Sequence, residues 1–160
     1  MSLSSLKKEL QHFDQKALES IILDLYSKSK ENKDYLEYFL NPDEAKLLDK
    51  YKTKVSDYIF PKRGYRAKIA KAKAVLREFS KWYPNPEMEA ELQLTYILRG
   101  IDFGKNVYMT TALDDSLHKM TISFFEFIKK NQLISQFHDR IENNLYLSKR
   151  WENFKNNVEE

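Results

Sequence analysis

Apolar residues recur at intervals of three and four along nearly the whole chain, the spacing that lines one face of an α-helix. Leu3, Leu6 and Leu10 predict a short first helix. Asp14, preceded by Phe13, has the character of an N-cap for a second helix whose face is Leu18, Ile21, Ile22, Leu25 and Tyr26. Tyr35, Leu36, Phe39 and Leu40 predict a third, closed by Asn41 and Pro42. The same two residues can open a fourth helix, Asn41 as cap and Pro42 in the first turn, with Asp43 and Glu44 favouring the positive end of its dipole. That helix carries Leu47, Leu48, Tyr51, Val55 and Tyr58 and ends near Phe60, before Pro61.

A fifth helix is predicted from about Arg66 to Tyr83, where Pro84, Asn85 and Pro86 stop it. A sixth starts near Glu87 and uses Met88, Leu92 and Tyr96, and Gly100 and Gly104 predict a loop around Asp102 and Phe103. A long helix follows through Leu113, Leu117, Met120, Phe124 and Ile128. The last helices use Leu133, Phe137, Ile141 and Leu145, then Trp151 and Phe154, with a fraying tail over 156–160. No segment alternates with period two, and three Gly and four Pro are too few turn residues for a many-stranded sandwich or barrel. The expected fold is all-α, an irregular helical bundle or short helical stack of about seven to nine helices. One domain over 1–160 is expected, with the 84–86 break separating lobes 1–83 and 87–160.

Composition bounds the chemistry. At 160 residues, 42% of them hydrophobic and 32% charged, the chain is long enough and apolar enough for a packed core. The absence of Cys excludes disulfides, thiolate metal sites and thiol nucleophiles. No apolar run approaches the roughly 18 residues of a membrane span. Lys7, Lys8, Glu9 and His12 interrupt the N-terminal apolar positions, so no signal-peptide core is expected. These features predict a soluble, cytoplasmic protein that has no membrane partner and needs no cofactor.

Charge is unevenly spread. Residues 50–81 hold eleven basic side chains against Asp57 and Glu78, in a chain whose total is +3. On a helical wheel through the fifth helix, Tyr65, Ala72, Val75, Leu76, Phe79, Trp82 and Tyr83 share an arc of roughly 140°. Lys62, Arg63, Arg66, Lys73, Arg77 and Lys81 share an arc of roughly 100° on the other side. Lys68 and Lys71 flank the apolar arc, where their stems can lie over core residues. A basic stripe of this kind suits a nucleic-acid backbone, because Lys and Arg displace counterions from phosphates. The alternative is a solvated face, or one paired internally with acids such as Glu87, Glu89 and Glu91. Pairing with carboxylates would remove the nucleic-acid reading; free cations would favour it.

Four stretches, LKKELQHFDQKALESIILDLY, YLEYFLNPDEAKLLDKYK, FPKRGYRAKIAKAKAVLREFSKW and FFEFIKKNQLISQFHDRI, resemble domain-of-unknown-function family 6155 and cover most of the chain. The resemblance implies a bacterial, helical, whole-chain domain with no catalytic or binding residue to carry over.

Other constellations are thin. Asp114 and Asp115 lie four and three residues before His118, which places carboxylate and imidazole on one helical face as a metal or general-base pair requires. Further ligands would have to come from elsewhere, such as His138, Asp139 or Glu142. Glu126 stands among Phe124, Phe125 and Phe127 and is expected to point outward between core rings. Asp102, Phe103 and Gly104 match the kinase metal tripeptide by letter only, and no Walker loop, Rossmann fingerprint or nucleophile elbow occurs. The expected function is therefore a non-catalytic interaction module binding an unidentified protein. Nucleic-acid binding through 62–81 is the alternative, and an enzyme or metal site near Asp114 and His118 comes third. The crowded aromatics Tyr35, Tyr38, Phe39, Tyr51, Tyr58, Tyr65, Trp82 and Tyr83 would mark a protein-binding groove wherever they are exposed.

Overall fold

A computed structural model describes residues 1–82 and 84–156. Among them the chain forms nine α-helices and one π-helical turn, with no strand, which is the all-α class expected. Contacts divide it into two compact units, Met1–Asp43 and Glu44–Glu160. The break at Pro84 and Pro86 falls inside the second unit.

The first unit holds α1 (Leu3–Leu10), α2 (Gln15–Lys28) and α3 (Lys30–Leu40). Each starts on a side-chain cap: Ser2, Asp14 and Ser29 accept from the backbone N–H of Ser5, Ala17 and Asn32. The Tyr26 hydroxyl donates to Glu37 at 3.0 Å, and Asn32 Nδ2 donates to the Leu25 carbonyl at 2.9 Å, so α2 and α3 are tied as a hairpin. No residue of these three helices is fully buried.

The second unit runs through α4 (Glu44–Ile59), α5 (Ile69–Ser80), α6 (Pro86–Phe103), a π-helical turn (Gly104–Tyr108), α7 (Thr111–Lys130), α8 (Ile134–Glu142) and α9 (Leu145–Asn156). Its core is built on α6, which buries residues round most of its circumference, from Met88 and Leu92 to Ile101 and Phe103. Around it, α4 contributes Leu47, Tyr51, Val55 and Ile59, one per turn. Ala72, Val75 and Phe79 form the buried line of α5. Contacts from Tyr51 to Phe79 and from Tyr58 to Lys71 run in opposite senses, so α4 and α5 are antiparallel. Gly100 lets α6 and α7 touch: a Cβ there would lie 2.4 Å from Leu117 Cδ2. Beyond α7, Phe124 meets Phe137 of α8 edge-on, and Phe125 packs on Trp151 and Phe154 of α9.

Three elements differ from the sequence reading. Asn41 caps the end of α3 and α4 begins at Glu44, so Pro42 lies outside the helix it was expected to open. The fifth helix begins at Ile69 rather than near Arg66. The expected loop at Asp102 and Phe103 is the last turn of α6, where Phe103 is buried against Phe60 and the chain runs on into the π-helical turn. Burial explains the last change: Gly100 and Phe103 are held by neighbours, and tertiary packing outweighs glycine's poor helix propensity. Asn156, the first residue of the expected fraying tail 156–160, is the last of α9, and the rest of that tail and the place of Tyr83 on the apolar arc lie outside the described residues.

Candidate functional site

The basic segment has two parts. Residues 60–68 connect α4 to α5 without a helix, and the Lys68 N–H donates back to the Tyr58 carbonyl at 2.7 Å. Gly64 sits there at φ +99°, a conformation that side chains with a Cβ rarely adopt. Lys62, Arg63 and Arg66 therefore stand on an exposed loop and not on the helical stripe. Tyr65, expected against the core, is 86% exposed for the same reason. The second part follows the wheel: Ala72, Val75 and Phe79 are buried on one side of α5, Arg77 and Lys81 are exposed on the other, and Lys73 is half-buried between.

The pairing of these cations separates them from the rest. Lys52 bonds to Glu91 at 2.9 Å and Lys54 to Glu78 at 3.4 Å, so α4 spends two of its cations inside the fold. Glu78, the one acid within 62–81, also accepts from the Tyr51 hydroxyl at 2.7 Å. Glu89 is taken by Ser80 at 2.7 Å, and Glu91 binds both Lys52 and Arg140. Two of the three expected internal partners on α6, Glu89 and Glu91, are thus engaged elsewhere, and the third, Glu87, pairs with none of these cations among the described residues. Among the described residues, Lys62, Arg63, Arg66, Lys68, Lys71, Lys73, Arg77 and Lys81 have no carboxylate partner. Lys71 instead lies over the Tyr58 ring, 5.9 Å from its centre.

Asp114, Asp115 and His118 are all exposed on α7, and His138, on α8, pairs at 3.5 Å with its neighbour Asp139. Among the described residues no three His, Asp or Glu side chains gather closely enough to hold a metal ion. Glu126 points outward as expected. His118 and Glu126 both line a cleft of about 310 Å³ between α7 and α9, with Arg150 facing them. Sequence reasoning missed this cleft, because Arg150 approaches His118 only through the packing of Phe125 on Trp151 and Phe154.

The aromatic residues divide. Tyr51 is buried; Tyr38, Tyr58 and Trp82 are half-buried; Tyr35 and Phe39 are exposed in the first unit. Leu3, Leu6, Leu10, Phe13 and Leu18 line an open apolar hollow of about 790 Å³ within that unit. Among the described residues no helix is long and apolar enough to cross a membrane.

A family of unknown function (DUF6155) matches residues 1–159, and the chain belongs to it. It matches no curated protein and no solved structure.

Proposed function

We propose that this chain is a binding module whose segment 62–81 takes the phosphate backbone of a nucleic acid. The observation that carries the reading is the row of eight cations without carboxylate partners, seven of them exposed, beside α4 cations that are paired. Lys and Arg without carboxylate partners are free to neutralise phosphates and release the cations condensed on a nucleic acid, with a gain in counterion entropy. Arg63, Arg66 and Arg77 add planar forks that grip phosphate oxygens in pairs. Tyr65, exposed on the same loop, offers a ring on which a base can stack.

Titration of labelled single-stranded RNA and duplex DNA across a salt series tests this. Six phosphate contacts give a slope of log affinity on log salt of about −5 on duplex and about −4 on single strands. Arg66→Glu, Lys73→Glu and Arg77→Glu together should abolish binding while leaving thermal unfolding unchanged. No binding at low salt refutes the reading.

A second reading, a protein partner on the first unit, rests on a different observation. Met1–Asp43 contains three helices and no fully buried residue, while Leu3, Leu23, Phe39 and Leu40 are each more than 60% exposed. Apolar surface on that scale is a usual mark of an interface. Leu6→Ser with Phe13→Ser should weaken that association in sedimentation experiments without moving the nucleic-acid titration.

A further inference from the structure

We propose that the cleft between α7 and α9 binds a small amphipathic carboxylate, an acid group carried on an aliphatic or aromatic chain, with Arg150 as its anchor. Six arginines occur in the chain. Three lie in the basic segment, and two others are paired: Arg99 with Asp102 at 3.9 Å and Arg140 with Glu91. Arg150 is half-buried and, among the described residues, has no carboxylate partner. Among the described residues its Nε is fully buried without an acceptor, and its one bond is a long one, 3.4 Å from Nη1 to the Tyr146 carbonyl. The guanidinium carbon lies over the Tyr146 ring, 3.5 Å from its centre, a separation too short for anything but stacking. Stacking fixes the plane of the fork and leaves its remaining N–H groups for an in-plane acceptor. A half-buried guanidinium whose Nη groups stay open to the cleft is poised to hold an anion in a charge-assisted, bidentate pair.

The surroundings define the rest of the ligand. Arg150 is shared by two adjoining hollows, of about 310 and about 360 Å³, within the size range of small-molecule sites. The second hollow carries Lys105 and Lys149 beside Tyr146, so the Arg150 end is cationic. Along the first, Ile122, Phe125 and Phe154 form an apolar wall. Phe154 packs on Phe125, and Tyr146 lies near Asp114, so α7 and α9 run side by side in the same sense and Arg150 is level with His118 and Ile122. Glu126, the carboxylate of this cleft, is eight residues beyond His118 and four beyond Ile122, about 12 Å and about 6 Å along the helix. An acid group at Arg150 therefore sits away from it, and the apolar chain runs between. Asp114, near Tyr146, is another acid on this side; burial holds the Tyr146 phenol above its ordinary value, the Arg150 charge opposes this and the Asp114 carboxylate adds to it, so the ring is neutral beneath the guanidinium. The site is remote in sequence from 62–81 and does not depend on the nucleic-acid reading.

The test uses the full chain, isotope-labelled, titrated with octanoate and with 3-phenylpropionate, and with octanol, acetate and inorganic phosphate as comparisons. The two amphipathic acids should bind at about 1 mM or tighter and shift amide signals of α7 and α9. Octanol and acetate should bind at least about tenfold more weakly, since each lacks half of the recognition. Arg150→Met, which keeps the stem and loses the fork, should reduce acid affinity about tenfold or more. The ligand-free variant should be as stable as the parent, because no carboxylate partner is lost. Arg150→Lys supplies the same comparison with charge retained and fork removed, should the Met variant not fold. No binding of either acid at about 10 mM overturns the proposal. So does equal binding of octanol, equal binding by the variant, or tighter binding of phosphate alone.

Discussion

Gly100 should behave against its helix propensity. In the interior of an exposed helix, Gly→Ala gains about 1 kcal/mol. Here the new Cβ would lie 2.4 Å from Leu117 Cδ2, 3.1 Å from Cγ and 3.2 Å from Cδ1. Carbon atoms in good contact stand about 3.5–4.0 Å apart, so Leu117 would have to retreat by more than 1 Å. Leu117 is completely buried and has nowhere to retreat without moving α7 from α6. Overpacking of this kind costs about 1–3 kcal/mol, and a contact this short belongs at the upper end. After the propensity gain, Gly100→Ala should destabilise by about 1–2 kcal/mol, a fall in Tm of roughly 2–8 °C. Urea and thermal unfolding of Gly100→Ala, Leu117→Ala and the double variant separate the terms. Leu117→Ala alone should cost about 2–5 kcal/mol. The double variant should cost at least about 1 kcal/mol less than the sum, because the added methyl enters the space the leucine vacates. A stabilised Gly100→Ala, or strict additivity in the double variant, would refute the close approach of α6 and α7.

Three further outcomes follow from single sites. Glu91 ties α4, α6 and α8 together through Lys52 and Arg140, so Glu91→Gln should cost about 1–3 kcal/mol in urea unfolding. Burial raises the Glu91 pKa, but hydrogen bonds from Arg140 and Lys52 with their charges more than offset this, and the folded value lies below the ordinary 4.5. Its stabilisation is therefore complete above the unfolded carboxylate range and is lost as pH falls through the folded value; the variant should lose stability less steeply in acid. Gln132 holds φ +59° where α7 ends, so Gln132→Gly should stabilise by about 0.5–1 kcal/mol, read as a rise in Tm. Thr110 Oγ1 accepts from the Leu113 N–H at 3.1 Å, and Thr110→Ala should cost about 1 kcal/mol on the same measurement.

The sequence reading worked where a structural decision is local, and it failed where the decision is made by residues far apart. Asp14 caps α2 because an aspartate side chain can reach the N–H three residues on whatever surrounds it. The buried line of α5 follows from periodicity within twelve residues. Arg66 and Tyr65 fitted the same wheel but lie off the helix, because the chain from Phe60 to Lys68 is shaped by the bond from the Lys68 N–H to the Tyr58 carbonyl and by Gly64. A wheel has no term for either. The charge reading shows the same division. That 62–81 is basic is plain from composition, whereas its lack of partners depends on where Glu78, Glu89 and Glu91 spend their oxygens: on Tyr51 and Lys54, on Ser80, and on Lys52 and Arg140. His118 was singled out for its neighbours Asp114 and Asp115, yet the residue that gives its surroundings a chemical direction is Arg150, thirty-two positions later and on another helix. Spacing rules find pairs on one helix face; they do not find pairs joined by the stacking of Phe125, Trp151 and Phe154. In an all-α chain, where each helix shows its own face clearly and its partners not at all, a site built across two helices becomes visible only once the core between them is packed.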